Sequence, residues 1–133
     1  MNERTTLESM IQMRTWAVVG ASNNPEKFGY KVFVSLKEAG YDVYPINPTA
    51  PEIAGTNAYP SLEALPVVPD VVDLVVPPSA GVGVVEAAHA KGVKNLWFQP
   101  GSESPEAVAL AGTKGMAVIS GGPCAMVERK IWV

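Results

Sequence analysis

Short runs of consecutive apolar residues alternate along the chain with segments in which apolar residues recur at helical spacing. The apolar runs cover residues 15–20, 41–48, 71–76, 94–99 and 116–120, and each predicts a buried β-strand. Helices are predicted over residues 30–40, 80–92 and 105–115, with a short helical turn over 61–65. A further helix is predicted before the first strand, with Thr5 or Thr6 as its N-terminal cap.

The character of these strands predicts the fold class. Strands that are apolar on both faces belong to a parallel sheet covered by helices on both sides, and right-handed helical crossovers connect such strands. We therefore predict an α/β fold, a doubly wound Rossmann-like domain with a five-stranded parallel sheet. A chain of 133 residues, of which 47% are hydrophobic, is long enough for a single domain with one sizeable core, and we expect residues 1–133 to form one.

Charge and composition narrow the function classes. A net charge of −3 argues against a general nucleic-acid binder, which needs a basic surface. No apolar run approaches the roughly 20 residues of a membrane span, and the first ten residues lack the apolar segment of a signal peptide. The single cysteine fits a reducing compartment. These features predict a cytoplasmic protein that binds neither nucleic acid nor membrane.

The loop after the first strand has the outline of a phosphate-binding turn. Ligands of such sheets bind at the carboxyl ends of the strands. Gly20 permits a tight turn, Gly29 lets the next helix start close to a ligand, and the free N–H groups of that helix attract an anion. Ser22 and Asn23 add polar side chains, and Lys27 is the one cation in the loop. The structural alternative is an ordinary strand-to-helix turn.

The ends of the second and third strands bear on the choice of nucleotide. After the second strand stands Asn47-Pro48-Thr49, without the acid that holds the ribose of NAD or the arginine that binds the phosphate of NADP. After the third, Pro77 and Pro78 end the strand and present a rigid apolar wall suited to adenine. Ser79 is expected to cap the following helix. The alternative interpretation is that these residues only end the strand and cap the helix, with no role in ligand binding.

Candidate catalytic groups are sparse. Gln99 follows the fourth strand and can hydrogen-bond a ligand, in a loop shaped by Pro100. Cys124 lacks a neighbouring base in the sequence, so we interpret it as a structural, buried thiol. His89, the only histidine, is expected on a solvated helix surface. No Cys/His cluster indicates a metal, and no catalytic residue is predicted.

Five motifs, in order, resemble the small CoA-binding domain proteins. They are "VVGAS..P.K.G", "GY.V.P.NP", "VD.VV.P", "K..W.QPG" and a late cysteine with a glutamate close behind, and the resemblance covers residues 11–128. These proteins are similar to the N-terminal CoA-binding domain of the succinyl-CoA synthetase alpha subunit. The resemblance implies coenzyme A as the ligand. It places the phosphates at Gly20, Ala21, Ser22 and Asn23, the nucleotide near Pro48, the adenosine beside Pro77, Pro78 and Ser79, and the remaining edge at Phe98, Gln99 and Pro100.

In the synthetase alpha subunit, a lysine soon after the second strand helps to hold the nucleotide's phosphate, whereas residues 49–60 of this chain contain no lysine or arginine. We expect Lys27 or Lys31 to take over that role. The favoured hypothesis is non-catalytic binding of coenzyme A or an acyl-CoA. The alternatives are a nicotinamide-nucleotide-binding redox or sensor domain, a detached subunit of an acyl-CoA synthetase that works with an unseen partner subunit, or a scaffold without its ligand. The synthetase's phosphohistidine domain and its nucleoside-triphosphate-binding subunit are not expected within these 133 residues.

Overall fold

The chain alternates strands and helices throughout the computed structural model, which describes residues 3–132. In chain order the elements are α1 (Glu3–Ile11), β1 (Thr15–Val19), α2 (Phe28–Glu38), β2 (Asp42–Ile46), β3 (Glu52–Ile53), β4 (Thr56–Asn57), β5 (Val71–Leu74), a 3₁₀ turn (Pro78–Ala80), α3 (Gly81–Lys91), β6 (Asn95–Phe98), α4 (Pro105–Thr113), β7 (Ala117–Ile119) and α5 (Ala125–Glu128). Each predicted strand is present, one or two residues shorter at its ends.

Five parallel strands form one sheet in the order β2-β1-β5-β6-β7, with helices on both faces. Side chains from α1, α2 and α5 pack on one face together with Trp97. Side chains from α3 and α4 pack on the other face together with Phe98. Both aromatic residues are fully buried, as expected for neighbours that point to opposite sides of a strand. The predicted doubly wound Rossmann-like fold is confirmed.

Two predicted helix caps are wrong. Thr5 and Thr6 lie within α1, because the helix is held by the buried side chains of Leu7 and Met10 on its inner side, and packing outweighs a local capping preference. Ser79 lies inside the 3₁₀ turn that follows Pro77, and α3 begins after Ala80 without a side-chain cap. The consecutive prolines favour that turn and move the helix start beyond the serine.

A small hairpin, absent from the predicted elements, lies between β2 and β5. β3 and β4 pair antiparallel, and the two residues between them, Ala54 and Gly55, have φ angles of 48° and 79°. Positive φ at both central residues is the signature of a type I′ turn, which matches the twist of a two-residue hairpin. The predicted helical turn over residues 61–65 is a hydrogen-bonded turn, in which Leu65 N–H donates to the Leu62 carbonyl.

The start of α2 packs directly on the end of β1. A Cβ atom on Gly29 would lie 2.0 Å from the carbonyl oxygen of Gly20, and a Cβ on Gly20 would lie 2.0 Å from the carbonyl oxygen of Val75. Gly20 also has a φ of 98°. No side chain fits in either contact, so both glycines are required by backbone packing alone.

We predict that Gly29→Ala destabilises the fold by about 1–3 kcal/mol, the usual cost of overpacking. Gly112→Ala is the matched control, because Gly112 also lies in a helix and a Cβ there meets nothing within 4 Å. The control is expected to be neutral or to stabilise the protein by up to about 1 kcal/mol, through better helix propensity. Urea unfolding measures both variants, and equal stabilities would contradict the packing argument.

Candidate functional site

The strand order changes direction between β1 and β5. β2 lies on one side of β1, whereas β5, β6 and β7 follow on the other side. The loops after β1 and β5 therefore lead to helices on opposite faces of the sheet, and a crevice opens between them at the carboxyl edge. Two grooves lie along this edge.

The larger groove, about 490 Å³ in volume, occupies the edge beside β5, β6 and β7. Its lining is mostly apolar, and Phe28 at its rim is 60% exposed. The polar side-chain groups of the lining are the amide of Gln99, the hydroxyl of Ser102 and the thiol of Cys124. The lining residues are Phe28, Val75, Val76, Pro77, Gln99, Pro100, Gly101, Ser102 and Cys124.

The smaller groove, about 360 Å³ in volume, lies beside β1 and β2 against the first turns of α3. Gly83 leaves open space on this wall, since a Cβ there meets nothing within 4 Å. Val76 lines both grooves, which therefore adjoin across the end of β5. The lining residues are Val19, Gly20, Ile46, Pro48, Pro60, Ser61, Leu62, Val76, Ala80, Gly83, Val84 and Ala87.

Local hydrogen bonds shape the loop between β1 and α2. The Ser22 hydroxyl accepts from the Asn24 N–H at 3.0 Å, and the Asn24 side-chain oxygen accepts from the Glu26 N–H at 3.0 Å. Lys27 then enters α2 in an extended conformation, and no side chain caps the helix. The first N–H groups of an α-helix have no partner within the helix. The start of α2 therefore presents backbone donors toward an anion.

Two asparagines near the loop have structural hydrogen bonds. Asn23 donates to the Glu52 carbonyl at 2.7 Å and accepts from the Ala54 N–H at 3.1 Å, so it ties the loop to the hairpin. Asn47 donates to the Ala21 carbonyl at 2.9 Å and accepts from two N–H groups of its own loop. Their side-chain amides thus hold the loops after β1 and β2 in place.

The thiol of Cys124 is half-buried and lines the larger groove, which corrects the expectation of a buried structural residue. Its sulfur accepts from the Gln99 side-chain N–H at 3.3 Å, and the Gln99 oxygen accepts from the Ala125 N–H at 2.8 Å. The turn that carries the cysteine is anchored by Trp97, whose indole N–H donates to the Pro123 carbonyl at 3.1 Å. His89 is exposed on α3, as expected.

The predicted ligand residues gather at one edge but differ in accessibility. Gly20 and Pro48 line the smaller groove, and Pro77, Gln99 and Pro100 line the larger one. Those that line neither groove divide by exposure: Ala21, Gly29 and Phe98 are buried, Ser22 is half-buried, and Asn23, Lys27, Pro78 and Ser79 are exposed.

Sequence reasoning missed most of the apolar lining of the grooves, and Phe28, Gly83 and Ser102 are three examples. Phe28 is an apolar residue in an otherwise polar loop, and that contrast is a signal the sequence does carry. Gly83 and Ser102 have no comparable signal, because their place at the grooves comes from the docking of α3 and of the loop after β6. The Ser102 hydroxyl accepts from the Val76 N–H at 3.0 Å and so joins that loop to β5.

A buried acid lies on β5, the strand that leads into the lining of the larger groove. Asp73 on β5 is fully buried, and neither of its side-chain oxygens has a hydrogen-bond partner among the described residues. It shares a face of the strand with Val75, two residues further on, which lines the groove. Burial without a partner raises the pKa of Asp73 well above its usual value, because a carboxylate is poorly solvated there.

With this geometry in place, a family model described as "CoA binding domain" matches residues 14–130. The chain belongs to the CoA binding domain family. The alpha subunit of acetate–CoA ligase [ADP-forming] II of Pyrococcus furiosus is 36% identical over an alignment of 124 residues, and the match covers 85% of this chain and 27% of that subunit. This domain thus spans about a quarter of that relative's length.

Stand-alone relatives of similar length also exist. The uncharacterized protein YneT of Bacillus subtilis is 32% identical, over 84% of this chain and 83% of YneT. A solved structure of a hypothetical protein from Pyrococcus horikoshii OT3 superposes with a TM-score of 0.89 at 37% identity and covers 96% of this chain and 89% of that one. No helix within residues 3–132 of this CoA binding domain is long and apolar enough to cross a membrane.

We predict that Asp73→Asn removes a pH dependence from the stability of this CoA binding domain. The folded state keeps the Asp73 proton, whereas the unfolded chain releases it above about pH 4. The free energy of unfolding therefore falls as pH rises from that point toward the raised folded-state pKa, by up to about 1.4 kcal/mol per pH unit. Urea unfolding over a pH series measures the slope.

Asp42→Asn, at an exposed position of β2, is the control and is expected to keep the wild-type slope. If Asp73→Asn shows the same slope as the wild type, Asp73 is not the group that stays protonated in the folded state.

Proposed function

We propose that this domain binds coenzyme A or an acyl-CoA along the carboxyl edge of its sheet, without catalysis of its own. The observation that carries the proposal is the arrangement of two apolar grooves that meet at Val76, beside the uncapped start of α2. The edge from β2 to β7 spans four strand spacings, about 19 Å in all. An elongated ligand with an aromatic end, a charged middle and a neutral arm matches this order.

The smaller groove is suited to the adenosine. Its walls come from Ile46 and Pro48 after β2 and from the small residues Ala80 and Gly83 at the start of α3. Small side chains on one wall and a proline on the other leave a flat apolar slot, and an adenine ring gains from burial in such a slot. The resemblance of the sequence motifs to the CoA-binding domain proteins also implies a nucleotide near Pro48.

The start of α2 supplies the positive end for the phosphates. The first backbone N–H groups of the helix favour an anion, and the aligned peptide dipoles add to this preference. Lys27 and Lys31 are exposed at the same end, and within residues 3–132 neither forms a salt bridge. Both ammonium groups therefore remain available to phosphate oxygens.

The larger groove is suited to the pantetheine arm and its thiol. Gln99 and Ser102 offer hydrogen-bonding groups among apolar walls, as an arm with two amide groups requires. Catalysis is not supported, because Cys124 is hydrogen-bonded to the amide of Gln99, which cannot accept its proton. Within the described residues no imidazole or carboxylate is hydrogen-bonded to this thiol, as nucleophilic activation requires.

The nicotinamide alternative has less support. A dinucleotide-binding domain holds the ribose hydroxyls with a carboxylate after the second strand. Here that position is Asn47, whose side-chain oxygen already accepts N–H groups of Thr49 and Ala50 at 2.9 Å each. The group that would recognise a ribose is thus an amide that is engaged in its own loop.

A second candidate role is that of a subunit in a larger CoA ligase. The alpha subunit of the acetate–CoA ligase of Pyrococcus furiosus favours it, because this domain matches 27% of that subunit's length. Affinity purification of the tagged domain from its native cells tests this role, with recovery of an ATP-grasp subunit as the supporting result. Recovery of the domain without such a subunit would count against it.

We predict that calorimetry detects binding of coenzyme A and acetyl-CoA at least about tenfold tighter than that of NAD or NADP, a difference of about 1.4 kcal/mol. The expected preference comes from the apolar arm groove and from the missing ribose carboxylate. Equal affinities for coenzyme A and NAD would contradict the proposal.

We also predict that Gly83→Phe weakens the binding of coenzyme A at least about tenfold, since the ring would fill the open space of the smaller groove. Gly112→Phe is the matched control, because both glycines lie in helices and a Cβ at either position meets nothing within 4 Å. Adenosine 3′,5′-bisphosphate, the nucleotide half of coenzyme A, should lose affinity in parallel. Unchanged affinity in Gly83→Phe would place the nucleotide elsewhere.

A Gly20 variant is unsuited to this purpose, since any side chain at Gly20 collides with the Val75 carbonyl. Loss of binding in such a variant would report on folding.

A further inference from the structure

The loop after β6 brings an acidic side chain to one end of the larger groove. One carboxylate oxygen of Glu103 accepts from the N–H of Gly101, a lining residue of the groove, at 3.2 Å. The other oxygen is buried and has no hydrogen-bond partner among the described residues. The loop itself is held in place, because Ser102 accepts from the Val76 N–H. The carboxylate of Glu103 is therefore held next to Gly101, although Glu103 does not itself line the groove.

Among residues 3–132, no charged side chain lines the larger groove. A ligand carboxylate that entered it would lose its hydration without gaining a cation, and burial of an unpaired charge is costly. The charge of Glu103 adds repulsion, since like charges in a partly buried site interact more strongly than in water. The groove is thus favourable for neutral and apolar groups and unfavourable for anions.

The two ends of the groove differ in charge. Lys31 lies at the α2 end, where its ammonium group is 5.4 Å from the ring centroid of Phe28, and Glu103 lies at the end near Gly101. The direction in which the ligand lies rests on the proposed function, in which the phosphates bind at the α2 end. The arm then runs along the sheet edge toward β6 and β7, so that an acyl group on the thiol reaches the acidic end.

We propose that the larger groove selects acyl-CoA thioesters whose acyl group is uncharged, and that Glu103 determines this specificity by repelling acyl groups that end in a carboxylate. The ligand class is therefore the CoA thioesters of monocarboxylic acids. Thioesters of dicarboxylic acids, which keep one free carboxylate, are excluded. Glu103 acts through the wall of the groove and contacts no reacting atom.

Calorimetry with butyryl-CoA and succinyl-CoA tests the proposal, because both acyl groups have four carbons and only the second has a carboxylate. The wild type should bind butyryl-CoA at least about tenfold more tightly than succinyl-CoA at moderate ionic strength, equivalent to about 1.4 kcal/mol. Glu103→Gln keeps an oxygen that can accept from Gly101 and removes the charge. It should raise the affinity for succinyl-CoA about three- to tenfold and leave that for butyryl-CoA unchanged.

Glu106→Gln is the matched control, since Glu106 is exposed in the first turn of α4, and it should keep the wild-type preference. Thermal melting of each variant checks that folding is retained. Equal affinity of the wild type for the two thioesters, or an unchanged preference in Glu103→Gln, would overturn the proposal while coenzyme A still binds. Failure of coenzyme A itself to bind would overturn the proposed function as well.

Discussion

The contact of the Gly20 backbone with the Val75 carbonyl, and of Gly29 with the Gly20 carbonyl, determines the geometry of the whole ligand edge. These contacts bring the ends of β1 and β5 together and set the start of α2 directly above them. The adjoining grooves diverge from this point, one toward β2 and the other toward β7. A side chain at either glycine would separate these elements and so displace both grooves.

Polar side chains around this contact serve mainly to hold the backbone in place. Asn23 and Asn47 use their amides to join the β1 loop to the hairpin and to the end of β2. Ser102 and Gln99 do the same for the loops after β6 and β7. As a result, the surface left for a ligand consists of backbone N–H groups, apolar walls, exposed lysines, and the remaining donor groups of Gln99 and Ser102. Such a surface suits the proposed binding of a ligand.

The family membership and the site geometry fit together at this edge. Relatives of this chain include a ligase subunit, about a quarter of whose length this chain matches, and a protein of similar length, YneT. In the proposed binding mode the domain supplies only recognition of the CoA moiety, and the acidic end of the larger groove adds a preference among acyl groups.

The sequence by itself determined the strand and helix order, the parallel sheet and the family, because these depend on apolar periodicity and on short motifs. It also predicted correctly that the loops after the strands meet at one edge. The tertiary structure decided which residues in those loops remain accessible: Phe98 is buried, Cys124 lines a groove, and Asn23 binds the hairpin. Accessibility depends on contacts between segments far apart in the chain, and neither residue type nor local spacing encodes those contacts.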